Sequence, residues 1–280
     1  MTAARILVFD SGIGGFSVFQ HIRQTLPGLN SCYLMDNQLF PYGIQADEIL
    51  SDRIVLLCEK ACTEYAIDMV VIACNTASTL ALPALRERLN IPVIGVVPAI
   101  KTAASLSRSK HIALLATPAT INRPYIDQLI LEHGNNCQVT RIGSSELVEL
   151  AERFWFDDTP NNTAVYQQAL SLILEPVIKN HLNIDQMVLG CTHFPIIAAA
   201  ISQLFPHIHL VDSGDAIARR VSYILCELGY DLAAFTDNTI LRAKSDQSSH
   251  ELLVTAEITD KSRFLTACHR IAPYQSFNII

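Results

Sequence analysis

Met69-Val-Val-Ile-Ala-Cys-Asn-Thr-Ala-Ser78 is the stretch around which the fold is predicted to be arranged. Its apolar, valine-rich start is typical of a strand that is buried on both faces, as in a parallel sheet. Asn75 and Thr76 then offer capping chemistry for a helix from Ala77 to about Leu89. The sequence therefore predicts a thiol, Cys74, at the carboxyl end of a parallel strand, where open α/β sheets bind their ligands.

A second stretch, Asp185-Gln-Met-Val-Leu-Gly-Cys-Thr-His-Phe-Pro195, repeats this arrangement. A short apolar strand from Met187 to Gly190 is predicted to deliver Cys191 at its end. Two strand-end cysteines in similar local settings indicate an internal repeat of one α/β unit. Because a helix N-terminus can lower the pKa of a cysteine, both thiols are candidates for chemistry.

Predicted strands and helices alternate along the rest of the chain, which favours an α/β fold with mostly parallel sheets flanked by helices. The first predicted domain is discontinuous and consists of residues 1–97 and 210–280, and the second consists of residues 98–209. The two domains are expected to be similar, related by a pseudo-twofold axis, with the active site between them. Ser245–Ser249 is polar and is predicted to be a mobile loop.

The composition is that of an ordinary globular protein, with 280 residues, 50% hydrophobic and 17% charged, and a net charge of -7. No Lys/Arg-rich run is present, so nucleic acid is not expected as a partner. No apolar run approaches the ~18–20 residues that span a bilayer, and residues 1–5 lack the pattern of a secretory signal. The eight cysteines are irregularly spaced, which predicts reduced thiols in a cytosolic protein.

Two opposed thiols suit a reaction that needs an acid on one face of a carbon atom and a base on the other. Racemisation or epimerisation is the simplest example. An unperturbed cysteine is only about 3% thiolate at pH 7, so each thiol needs help from a helix N-terminus and an acid–base neighbour. His193, two residues beyond Cys191, and Asp10, at a neighbouring strand end, are available for that.

Other chemistries fit these residues less well. Cys191 and His193 could form a nucleophilic pair for acyl or amide hydrolysis, but this leaves Cys74 without a role. The same pair lacks two further ligands at ordinary spacing for a metal site. The turn Gly12–Gly15 resembles a dinucleotide-binding fingerprint, but Ser17 stands where a third glycine is needed. Since no lysine ends a predicted strand, pyridoxal phosphate is not indicated, and a mechanism without a cofactor is favoured.

Four motifs resemble those of one family. Asp10-Ser-Gly-Ile-Gly-Gly15, Pro41-Tyr-Gly43, Ala73-Cys-Asn-Thr76 and Gly190-Cys-Thr-His-Phe-Pro195 closely resemble the glutamate racemases of the aspartate/glutamate racemase superfamily. The resemblance covers essentially the whole chain, including Val211-Asp-Ser-Gly214. It implies cofactor-independent interconversion of L- and D-glutamate in the cytoplasm. D-Glutamate would supply peptidoglycan precursors and so serve cell-wall biogenesis and cell shape.

The resemblance also implies roles for individual residues. Cys191 would take the α-proton of L-glutamate, assisted by His193. Cys74 would take the α-proton of D-glutamate, assisted by Asp10. The expected substrate contacts are Asp10, Ser11, Pro41, Tyr42, Gly43, Cys74, Asn75, Thr76, Thr117, Cys191, Thr192 and His193.

Some family features leave alternatives open. Asp36 and Glu152 align with two acidic positions of the family, but Ser144-Ser145 stands where the family often has Cys-Pro, so Glu149 remains an alternative to Glu152. Gly95–Ile100 is similar to a branch activated by a muramoyl-peptide nucleotide, although that branch typically has a longer N-terminal extension. Both a homodimer and a monomer are compatible with the sequence. A racemase for aspartate or another small substrate, and a non-catalytic binding protein on the same scaffold, are the rival functions.

Overall fold

The computed structural model describes residues 4–156, 163–236 and 248–280. The chain divides into two compact units, one formed by Met1–Val96 with Gly214–Ile280 and the other by Val97–Ser213. Each unit contains one parallel sheet, so the prediction of an α/β fold with two parallel sheets flanked by helices is confirmed. The predicted mobile loop at 245–249 lies, up to residue 247, outside the described residues.

The elements are numbered along the chain. The strands are β1 (Arg5–Asp10), β2 (Asn30–Met35), β3 (Met69–Ile72), β4 (Val93–Gly95), β5 (His111–Ala116), β6 (Gln138–Gly143), β7 (Gln186–Leu189), β8 (His209–Val211), β9 (His250–Val254) and β10 (Ser276–Ile279). The α-helices are α1 (Phe16–Thr25), α2 (Asp47–Tyr65), α3 (Asn75–Arg88), α4 (Ile100–Leu106), α5 (Pro118–Ile121), α6 (Pro124–His133), α7 (Glu146–Phe156), α8 (Thr163–Ile178), α9 (Ala198–Leu204), α10 (Gly214–Glu227), α11 (Ala233–Thr236) and α12 (Lys261–His269).

The sheet of the first unit has the order β10-β9-β2-β1-β3-β4. All residues of β2 and β3 are buried, because helices cover both faces of a parallel sheet and its strands therefore need apolar side chains on both. Leu7 and Phe9 of β1 pack with Ile54 of α2 and Ala81 of α3 in one core cluster. Burying each large apolar side chain of this kind contributes about 1.5–3 kcal/mol.

The register of the central strands brings several carboxyl ends to one edge of this sheet. Phe9 of β1 lies opposite Ile72 of β3, and Asp10 lies opposite Met35 of β2. Asp10, at the end of β1, and Cys74, just after β3, therefore lie at the same edge of the sheet. This is the edge at which an open α/β sheet binds its ligand.

The second unit has a four-stranded sheet with the order β6-β5-β7-β8. Val188 of β7 lies opposite Val211 of β8, which ties the strand at residues 209–211 to this sheet. The unit therefore runs to Ser213, whereas the predicted domain boundary assigned residues from 210 onward to the first domain. No helix in the described part of the chain is both long and apolar enough to cross a membrane.

Candidate active site

Asp10 ends β1 and is completely buried, and its Oδ1 accepts a hydrogen bond from the Gly12 backbone N–H at 2.9 Å. Gly15 closes the same turn, where an added Cβ would lie 2.6 Å from the Asp10 Cβ and 2.6 Å from the Tyr33 hydroxyl. A side chain at position 15 would thus displace the carboxylate. The glycine-rich turn serves to seat Asp10, and this packing requirement accounts for its resemblance to a dinucleotide-binding turn.

Cys74 is itself the N-cap of α3, which begins at Asn75. Its backbone is extended, with φ -73° and ψ 124°, and its Sγ accepts a hydrogen bond from the Ala77 N–H at 3.5 Å. The prediction that Asn75 and Thr76 cap a helix starting at Ala77 is therefore wrong, because α3 begins two residues earlier, at Asn75. A thiol in the cap position receives a backbone N–H and the positive end of the helix dipole, and both stabilise negative charge on sulfur.

Polar groups surround Cys74 within the first unit. The Ser11 hydroxyl lies 4.0 Å from the Cys74 Sγ, and both side chains are buried. Asn75 is only 5% exposed, and its Oδ1 has no hydrogen-bond partner among the residues that the structure describes. A buried amide oxygen without a partner is costly in a finished core. The Asn75 Oδ1 is therefore available to accept a hydrogen bond from a ligand.

Tyr42 and Gly43 form a 3₁₀ turn in the same unit, directly after Pro41. The Tyr42 side chain is buried, and its hydroxyl donates to Asp36 Oδ2 at 2.6 Å. Asp36 therefore serves as an anchor for this turn.

Cys191 of the second unit follows β7 after Gly190, as predicted. The Gly190 N–H donates to the Leu115 carbonyl at 2.7 Å, and an added Cβ at Gly190 would lie 2.9 Å from Leu114 Cδ1. This close approach to β5 fixes the start of the turn that carries the thiol. Cys191 is 7% exposed, and a 3₁₀ turn, Phe194–Ile197, follows it.

Cys191, His193 and Glu152 form a chain of side chains. The Cys191 Sγ lies 3.8 Å from His193 Nδ1, and His193 Nε2 lies 2.8 Å from Glu152 Oε1. Burial acts to lower the pKa of His193, but its hydrogen bonds with Cys191 and Glu152 outweigh burial and hold that pKa well above its usual value. The imidazolium form of His193 is thus favoured, which places a positive charge beside the Cys191 sulfur.

Glu149, the alternative to Glu152, lies on the exposed side of α7 and pairs with Arg153 at 4.0 Å. Thr117 follows β5 and caps α5, accepting a hydrogen bond from the Thr120 N–H at 3.3 Å. Thr192, beside Cys191, is buried. The second unit therefore brings Thr117, Thr192 and the Cys191 chain to the carboxyl ends of its own strands.

Sequence reasoning missed two residues near these groups, Arg53 and Thr255, which both donate hydrogen bonds to Asp36. Arg53 could have been noticed, because it lies between Leu50 and Ile54 on the apolar side of α2. Thr255 gives no local signal.

In the described part of the chain, no group of three or more His, Cys, Asp or Glu side chains is arranged to hold a metal ion.

Comparison with known proteins identifies the class to which this fold and these residues belong. A sequence model of the Asp/Glu/hydantoin racemase family matches residues 6–221. The match covers more than half of the chain, so the chain belongs to this family of isomerases, and the family resemblance of its motifs is confirmed.

Individual relatives narrow the group to the glutamate racemases. The chain is 47% identical to the glutamate racemase of Shewanella loihica over 244 residues, which cover 85% of this chain and 89% of the relative. It is 49% identical to that of Vibrio vulnificus over 224 residues, 80% of this chain and 82% of the relative.

Solved structures agree with this grouping. The crystal structure of Escherichia coli glutamate racemase, in complex with L-glutamate and the activator UDP-MurNAc-Ala, matches with a TM-score of 0.86 and 36% identity, covering 99% of this chain and 98% of that one. A glutamate racemase isoform from Bacillus anthracis matches with a TM-score of 0.80 and 28% identity, covering 100% and 98%.

Proposed function

We propose that the protein interconverts L- and D-glutamate without a cofactor, using Cys74 and Cys191 as two acid–base groups. The thiolate of Cys191 removes the α-proton of L-glutamate, and the thiol of Cys74 delivers a proton to the opposite face of the same carbon. The reverse reaction exchanges the two roles. One proton enters and one leaves the carbon in each turnover, so atoms and charge balance without an external reactant.

The observation that carries this proposal is that each thiol has polar partners suited to a thiolate. Cys191 faces His193, whose pKa is held high by Cys191 and Glu152 despite the opposing effect of burial. Cys74 receives the Ala77 N–H and lies next to the Ser11 hydroxyl. A hydrolase that uses one Cys–His pair needs only Cys191 and His193, and the polar partners of Cys74 would then have no role.

Asp10 is proposed to assist Cys74, and His193 to assist Cys191. The backbone supports the first assignment, since the Ala73 N–H donates to the Phe9 carbonyl at 2.8 Å and thereby holds Cys74 beside Asp10. The unsatisfied Oδ1 of Asn75 is proposed to accept a hydrogen bond from the substrate. The other proposed substrate contacts are Asp10, Ser11, Pro41, Tyr42, Gly43, Thr76, Thr117, Thr192 and His193.

Glutamate is preferred as the substrate because relatives 47% and 49% identical to this chain, which it covers over 89% and 82% of their length, are glutamate racemases. The E. coli relative was crystallised with a UDP-MurNAc-Ala activator, and this supports testing a nucleotide of the same kind here. The proposed physiological role is the supply of D-glutamate for peptidoglycan in the cytoplasm. The assembly is proposed to be a monomer or a homodimer, which sedimentation at several concentrations would distinguish.

Exchange of the α-proton in D2O tests the function directly. The protein is incubated with L-glutamate, L-aspartate or L-alanine, with and without the nucleotide, and the α-proton signal is followed by NMR alongside optical rotation. Of the three amino acids, we expect only glutamate to lose its α-proton signal and its optical rotation. Exchange with aspartate in preference to glutamate would replace the substrate, and absence of exchange under all conditions would favour a non-catalytic binding protein.

A further inference from the structure

The Asp36 carboxylate is a fully buried charge of the first unit that lies outside the two thiol arrangements. Burying an ionised carboxylate is strongly unfavourable unless hydrogen bonds and an opposite charge compensate it. Tyr42, Arg53 and Thr255 all donate to this one carboxylate, at 2.6–2.7 Å. Three side chains thus compensate the cost of burying the Asp36 carboxylate, which indicates that the carboxylate has a functional role.

Arg53 provides the positive charge in this cluster. Its Nε donates to Asp36 Oδ2 at 2.6 Å, and one of its terminal nitrogens donates to Asp36 Oδ1 at 2.7 Å. The same terminal nitrogen also donates to Gln38 Oε1 at 2.8 Å. Two parallel bonds from a planar guanidinium fix the plane of the carboxylate as well as neutralising it.

Thr255 holds the carboxylate from the C-terminal segment of the unit. It follows β9, which pairs with β2, and its hydroxyl donates to Asp36 Oδ1 at 2.6 Å. Each carboxylate oxygen therefore accepts two hydrogen bonds. Oδ1 accepts from Arg53 and Thr255, and Oδ2 accepts from Arg53 and the Tyr42 hydroxyl. Thr255 lies beyond residues 6–221, to which the family model matches.

Tyr42 is the group that this arrangement controls. Burial, together with the charge of Asp36 and the hydrogen bond with it, raises the pKa of Tyr42, so the phenol stays protonated and donates to the carboxylate. The side chain is 1% exposed and packs with Phe9, with ring centroids 6.3 Å apart. Its position fixes the backbone of Pro41–Gly43.

We propose that Arg53 is a positioning residue for substrate binding. By orienting the Asp36 carboxylate it fixes the Tyr42 hydroxyl, and through Tyr42 it holds the Pro41–Gly43 backbone in the conformation that contacts the substrate. The proposal rests on the proposed function, in which this segment binds glutamate. Arg53 itself does not touch the reacting atoms, so its loss acts on substrate affinity and leaves the proton-transfer step largely intact.

Steady-state kinetics of Arg53→Met test the proposal. We expect KM to rise by about 10- to 100-fold, the range for losing hydrogen bonds to a charged group, while kcat changes by less than about 3-fold. Arg88→Met is the matched control, because Arg88 makes an equivalent two-bond contact with Glu59, at 2.8 and 3.1 Å, on the exposed surface of the same unit. The control should leave both constants unchanged.

Two further variants separate positioning from simple loss of structure. Arg53→Lys keeps the charge but loses the paired geometry, so we expect a KM between those of the unchanged protein and Arg53→Met. Because Arg53 acts through Tyr42, combining Arg53→Met with Tyr42→Phe should raise KM hardly more than the larger single change. Additive increases in KM, or a fall in kcat with KM unchanged, would overturn the proposal.

Direct binding separates failure of this proposal from failure of the proposed function. Calorimetric titration with L-glutamate measures affinity whether or not the protein racemises it. If the unchanged protein binds glutamate without racemising it, the function is wrong and a weaker Kd for Arg53→Met still supports positioning. If racemisation is normal and the Kd of a folded Arg53→Lys and Arg53→Met is unaltered, the positioning role is wrong.

Discussion

Cys74 and Cys191 occupy matching places, each just after a short buried strand, yet their surroundings differ in kind. Cys74 caps α3 and accepts the Ala77 N–H, so the helix dipole acts on its sulfur directly. The Cys191 sulfur lies beside the His193 side chain, with Glu152 beyond it. The surroundings of Cys74 include a fixed dipole, and those of Cys191 include an imidazole that can itself gain or lose a proton.

Similar strand ends therefore carry thiols with different polar partners. A fixed dipole responds little to pH, whereas an imidazole with a raised pKa titrates. In a racemase the equilibrium constant between enantiomers is one, so kcat/KM must be the same in both directions. Unequal thiols can therefore appear only as unequal kcat and KM values in the two directions.

Removing either thiol should produce the largest effect. We expect Cys74→Ala and Cys191→Ala each to lower racemisation by more than about 10⁴-fold, since in the proposed mechanism each change removes an obligatory proton carrier. Optical rotation with L- and D-glutamate measures the loss.

The two variants should then differ in one respect. A glutamate with a leaving group on Cβ needs only one base, so Cys74→Ala should still eliminate from the L form and Cys191→Ala from the D form. Cys226→Ala, which changes an exposed thiol, is the control and should behave like the unchanged protein. Full racemisation by either active-site variant contradicts the two-thiol assignment.

Replacing His193 tests the contribution of the side chain that lies beside Cys191. We expect His193→Asn to lower kcat/KM by about 10²- to 10⁴-fold, the usual range for an acid–base group, and by the same factor in both directions. The values of kcat should change unequally between L- and D-glutamate. His207→Asn, on an exposed histidine, is the control. A change below about 3-fold would remove His193 from the proton path.

Replacing Glu152 should have a smaller effect, because it acts through His193. In Glu152→Gln the hydrogen bond and charge that help to raise the pKa of His193 are weakened, so the imidazole should titrate at lower pH, with a fall in kcat/KM of about 10-fold. NMR of the histidine side chains, assigned with His193→Asn, measures the titration.

Glu149→Gln is the matched control for this experiment, since Glu149 lies one turn away on α7 and contacts Arg153. It should leave the His193 titration in place. If Glu149→Gln moved the titration and Glu152→Gln did not, the geometry of the relay would be wrong.

The central strands and the positions of the two thiols could be predicted because short stretches of sequence determine them. Valine-rich runs such as Met69–Ile72 identify buried parallel strands, and the residue after the strand identifies the reactive edge. The prediction missed β10, Ser276–Ile279, because it is a partly exposed strand at the edge of the sheet whose pattern is weak. Residues 210 and 211 were predicted to belong to the first domain, but β8 pairs with β7 of the second unit, and such pairing between distant segments leaves no local pattern.

The surroundings of the thiols were harder to predict, for two physical reasons. Contacts such as Arg53 with Asp36 and Thr255 with Asp36 join residues far apart in sequence, and no local pattern records them. The cap of α3 was misassigned because Asn75 and Thr76 are stronger capping residues than cysteine by propensity. Tertiary geometry, which leaves Cys74 extended, decided the position instead.

Replacing Cys74 as the N-cap of α3 should have the smallest effect, which is on the free energy of unfolding. Cys74→Ala removes the acceptor of the Ala77 N–H and should cost about 0.5–1 kcal/mol, whereas Cys74→Ser retains an acceptor and should be more stable than the Ala variant. At Cys191 the N-cap position of the following turn belongs to His193, and the Cys191 side chain does not occupy it, so Ser should bring no such gain over Ala. Urea unfolding of the four variants measures both differences. Equal gains at the two positions would mean that the thiols differ in their acid–base partners alone.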